Sequence, residues 1–97
     1  MSLTGTQLRA ARGLINLSVK ELAETTGLAV NTIRRAEAGN DLAPINVANA
    51  RLLRATLEAA GVIFIEPDEQ AGAGVRLRSP VPAPPRRRRR DAPRPTS

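Results

Sequence analysis

The chain holds no cysteine, no histidine, no tryptophan and no tyrosine, and Phe64 is its one aromatic residue. Without cysteine there is no disulfide, which suits a reducing, cytoplasmic setting. Without cysteine and histidine together, the sulfur and imidazole ligands of a zinc site are missing, and so is a nucleophile worked by a histidine base. A glycine-rich phosphate loop and a pair of carboxylates placed for acid–base work are missing too. The expectation is a protein that is not an enzyme and carries no metal and no cofactor. A single ring gives no platform for stacking unpaired bases, which leaves duplex DNA read by hydrogen bonds as the open nucleic-acid target. No stretch reaches the roughly 18 apolar residues of a membrane span. The opening MSLTGTQLRAARG lacks the basic start and apolar core of a signal peptide, so the expected place is the cytoplasm, at the nucleoid, with no membrane partner.

What is present is small and unevenly charged. Ninety-seven residues support one small domain. Residues 1–78 carry nine basic and eight acidic side chains, whereas residues 79–97 carry six arginines and one aspartate; together they make the formal +6. Six of the eight prolines also fall in 79–97.

The segment Leu17–Gly39, LSVKELAETTGLAVNTIRRAEAG, organises the rest. Ser18 and Glu21 have the spacing of a capping box, each side chain satisfying a backbone N–H at a helix start, and Leu17 with Leu22 supplies the hydrophobic staple. Gly27 suits a left-handed residue ending that helix. A second helix is expected from about Val30 to Glu37, stopped by Gly39, with Leu22, Ala23, Leu28, Ile33 and Ala36 facing inward. The L-S-x-x-E-L-A opening, the glycine at the turn, the T-I of the second helix and the closing E-x-G resemble the helix-turn-helix of the lambda-repressor-like family (Cro/cI or XRE type), over roughly residues 4–60. The resemblance implies a mainly α fold whose second motif helix lies in the DNA major groove. It places Val30, Asn31, Thr32, Arg34 and Arg35 on or near bases, Ser18 and Lys20 against phosphate, and pairs Arg12 with Glu37. The residue types fit these roles: Val30 offers methyls to a thymine methyl, Asn31 can read adenine in bidentate fashion, Arg34 can reach guanine or phosphate, and Arg35 shares the face of Asn31 one turn on. Three positions depart from the family: Ala29 stands at the helix start where Ser or Thr is usual, Val19 where a polar residue often meets phosphate, and the loop Asn40–Ile45 has an aspartate, Asp41, and no cation.

Thr4 and Gln7 form a second capping box with Leu3 and Leu8 as staple. The first helix should run to about Leu14, with Leu8, Ala11 and Ile15 as its apolar stripe and Arg9 and Arg12 off it. Asn46 can cap a fourth helix running to about Ala60, with Val47, Ala50, Leu53, Leu57 and Ala60 inward, Arg51, Arg54 and Glu58 opposite, and Gly61 ending it. VIFIE (62–66) and VRLR (75–78) read as the strands of a β-hairpin. Two strands are marginal alone, so they must pack on the helices, pair with another subunit, or accept a partner's strand. Val62 and Phe64 point one way, Ile63 and Ile65 the other; with both faces apolar, dimerisation is the preferred role. The tail, SPVPAPPRRRRRDAPRPTS, reads as disordered and partly polyproline II, with Arg86, Arg87, Arg88, Arg89 and Arg90 as a run for phosphate attachment.

The expected organisation is a helix-turn-helix bundle of about four helices (1–61), a β-hairpin (62–78) and a basic, disordered tail (79–97). The expected function is a sequence-specific transcriptional regulator binding double-stranded DNA, as a homodimer on an inverted repeat. The rival is a protein-interaction module, antitoxin-like or adaptor, whose hairpin or tail engages a protein partner and for which DNA binding is secondary.

Overall fold

The computed structural model describes residues 2–80. Among them are four helices, α1 (Gly5–Leu14), α2 (Val19–Thr26), α3 (Val30–Glu37) and α4 (Val47–Ala59), followed by the antiparallel strands β1 (Val62–Ile65) and β2 (Gly74–Leu77). The protein is thus mainly helical with one small sheet. Of the tail, residues 81–97 with the run Arg86–Arg90 lie outside the described residues.

Local sequence explains most of the element ends. Thr4 and Ser18 form complete capping boxes with Gln7 and Glu21. Asn46 caps α4 by accepting from the Asn49 N–H at 2.7 Å. Gly27 (φ 80°) and Gly61 (φ 111°) take the left-handed conformation that closes α2 and turns the chain from α4 into β1. Asn16 does the same between α1 and α2 (φ 54°), as asparagine tolerates better than most residues. α3 spans Val30–Glu37 as expected and ends ahead of Gly39, with Ala38 still right-handed and no positive φ at Gly39.

One core joins the four helices and β1: Leu8, Ala11, Ile15, Leu22, Ala23, Ile33, Ala36, Leu53, Leu57, Val62 and Phe64 are buried together with Leu3, and the half-buried Val75 and Leu77 of β2 pack against them. The sheet pairs Val62 with Leu77 and Ile65 with Gly74, one residue earlier at its β2 start than VRLR suggested. The face of Val62 and Phe64 packs inward on the helices, whereas Ile63 and Ile65 stay exposed. Gln7 is 2% exposed and ties the two parts together. Its Oε1 accepts from the Thr4 N–H, and its Nε2 donates to Ile65 O at 3.3 Å and Gly74 O at 3.1 Å. The α3–α4 loop is fixed by strand-like contacts with the N-terminus, Ala43 N–H to Leu3 O and Gly5 N–H to Asp41 O.

Two assignments on α4 need correction. Val47 is 67% exposed, lining an open groove with Leu3, Leu42, Ile45 and Ala50 rather than entering the core. Arg54 is not on a solvated face: its guanidinium lies 5.2 Å from the Phe64 ring centroid and pairs with Glu58 at 2.9 Å and Glu66 at 3.0 Å. Burial lowers the Arg54 pKa, and the bonds to the two carboxylates more than reverse this.

Candidate nucleic-acid interface

The helix α3 carries the site. With 100° between successive residues, Ile33, Ala36 and Glu37 fall on one side and are buried. Asn31, Arg34 and Arg35 fall on the other and are exposed. These three form one polar, cationic face, and no ion pair engages either arginine among the described residues. Val30 and Thr32 flank it on either side, Val30 about 40° from Arg34 and Thr32 about 60° from Arg35 around the helix; both are half-buried, and Val30 packs against the core.

Two arginines of α1 hold the far end of α3. Arg12 grips the Glu37 carboxylate with a two-pronged contact, Nε to Oε2 at 2.5 Å and Nη2 to Oε1 at 2.8 Å, while its Nη1 donates to Leu17 O at 2.9 Å. The Glu37 side chain is only 7% exposed. The bond to Glu37 raises the Arg12 pKa above the ordinary arginine value, with partial burial working against it. Arg12 thereby joins α1, the α1–α2 turn and α3. Arg9, which sequence reasoning left as an off-stripe residue, is the second clamp. Its Nη1 donates to Glu37 O and to Gly39 O (2.9 Å), and its Nη2 to Asn40 Oδ1 (2.8 Å). A cation on the last carbonyls of a helix satisfies orphan acceptors and suits the helix dipole. The i, i+3 spacing of Arg9 and Arg12 on one helix is the signal that could have revealed it. A close approach completes the joint: a Cβ on Gly5 would collide with the backbone oxygens of Gly39 and Ala36.

The near end of α3 is different. Ala29 makes no side-chain cap, although its backbone is in the usual extended conformation. At the start of α2, Ser18 Oγ accepts from the Glu21 N–H at 3.0 Å, which leaves its O–H free to donate outward. Lys20, the second residue of α2, is exposed. Among the described residues no cluster of three or more acidic side chains is arranged to hold a metal ion, and no helix is long and apolar enough to cross a membrane.

The chain matches no protein-family model, and no curated protein matches it significantly.

Proposed function

We propose that this protein is a double-stranded-DNA-binding transcriptional regulator of the helix-turn-helix type, with α2 and α3 as the motif and α3 laid in the major groove. The observation that carries the reading is the joint exposure of Asn31, Arg34 and Arg35 on a helix whose opposite side is buried and doubly clamped. Amide and guanidinium groups are the side chains that read adenine and guanine edges in pairs of hydrogen bonds. Ser18 and Lys20 contact phosphate beside them and fix the register of α3 on the duplex. Arg86–Arg90 add sequence-independent, salt-sensitive attachment. Two copies on an inverted repeat, with half-sites about one helical turn apart, present both α3 helices to one side of the duplex. Occupancy then regulates, by blocking a promoter or by helping polymerase there.

Selection of the full chain against a random duplex pool, repeated with Asn31→Ala, tests this. An inverted repeat enriched by the native chain and weakened by Asn31→Ala supports the reading. No enrichment at low salt rejects it and favours a protein-interaction module.

A further inference from the structure

The hairpin has a charge polarity that the DNA reading does not use. Cross-strand partners share a face, so Arg76, opposite Ile63, lies with the exposed isoleucines. Arg78 follows on the same side at the base, where its N–H donates to Gly61 O. Opposite Ile65 stands Gly74, which has no side chain to cover it. Ile63 and Ile65 are therefore 39% and 41% exposed. Beyond Ile65, at the tip, the connection carries Asp68 and Glu69. Asp68 is fixed there: its Oδ1 accepts from the Gln70 and Ala71 N–H groups at 2.8 Å, which holds its pKa below the usual carboxylate value. Along its length the hairpin reads basic base, apolar middle, acidic tip. Neither Arg76, Arg78 nor Glu69 has an ion-pair partner among the described residues.

We infer that this outer face of the hairpin is the contact between two copies of the chain, arranged antiparallel about a two-fold axis near Ile65. This rests on, and gives a location to, the dimer of the proposed function. A two-fold contact must be self-complementary, with residue i meeting j and j meeting i. Turning one hairpin end over end on the other sets Arg76 and Arg78 of each copy against Asp68 and Glu69 of its partner, and closes the four isoleucines between them. An acidic polypeptide would match the base and repel the tip; a second copy matches both.

The test is sedimentation velocity of the full chain without DNA, using Arg76→Glu and Glu69→Arg. Both positions are exposed, and circular dichroism reports whether each variant folds. Each variant alone should sediment as monomer, since both of its contacts become like-charged. Mixed in equal amounts they should form dimer again, because the mixed pair has opposite charges at both contacts. Ile65→Ser should weaken the dimer at least tenfold. A native chain that stays monomeric at low salt, or a dimer that survives both single variants, overturns the inference. Binding of each variant to a single half-site is measured in parallel. If it is retained while the dimer is lost, the interface is supported independently of the DNA reading; if α3 variants abolish no DNA binding, the DNA reading fails and the interface is judged on sedimentation alone.

Discussion

At its C-terminal end α3 gives the Glu37 carboxylate and backbone oxygen to two arginines of α1, and the segment just beyond it adds Gly39 O and the Asn40 amide oxygen; at its N-terminal end it receives nothing from the Ala29 side chain. The contrast shows where the order of a short helix comes from. An eight-residue helix is too short to hold itself in water. Its geometry is imposed through the end that faces the body, and the other end has no side-chain cap. The pair Arg12–Glu37 contributes to this more through fixed docking than through net stability, since desolvation offsets much of its attraction.

The contrast breaks most visibly at Glu37. Glu37→Ala leaves a half-buried guanidinium without its partner, and the expected loss is about 3 kcal/mol of unfolding free energy, at the low end for buried pairs because Arg12 keeps some access to water. Urea denaturation measures it, and a double-mutant cycle with Arg12→Ala should show clear coupling; zero coupling would refute the joint. Gly5→Ala attacks the same end sterically and should lose about 2 kcal/mol, because the new methyl group meets backbone oxygen rather than a yielding side chain. On the exposed face, Asn31→Ala and Arg35→Ala should each weaken binding to the selected DNA site by about 1–3 kcal/mol while leaving the melting temperature unchanged. A fall in melting temperature instead would mean that these residues serve the fold. Ala29→Ser sharpens the comparison from the bare end. A serine oxygen there can accept an unpaired amide, so stability should rise by about 1 kcal/mol, or roughly 4–8 °C in melting temperature for a domain of this size. No rise would move the start of α3 away from Val30.

The sequence makes legible what depends on near neighbours. The capping boxes at Thr4 and Ser18, the left-handed Gly27 and the alternation of Val62 to Ile65 each involve residues within four positions, where spacing alone dictates geometry. Contacts across the chain were less accessible. Gln7 reads as a capping residue, and it is one, but its amide also reaches oxygens 58 and 67 residues away. Arg9 finds its acceptors about thirty residues on. For α4, periodicity gives the angular order of side chains but not which neighbour covers them, so Arg54 lies over a strand and Val47 stays exposed at a groove. On α3 periodicity likewise does not say how deeply the flanking Val30 and Thr32 are covered; both are half-buried beside the exposed face.

The buried amide of Gln7 also decides how modular this chain is. Both its hydrogens are spent on carbonyls of the hairpin, at the last residue of β1 and the first of β2. A fragment ending at Gly61 would remove Val62 and Phe64 from the core and take away both acceptors of that amide. The helices are therefore not an autonomous unit to which a hairpin has been appended. Any shuffled or grafted C-terminal segment that replaces it must deliver two well-placed oxygens to the first turn of the first helix.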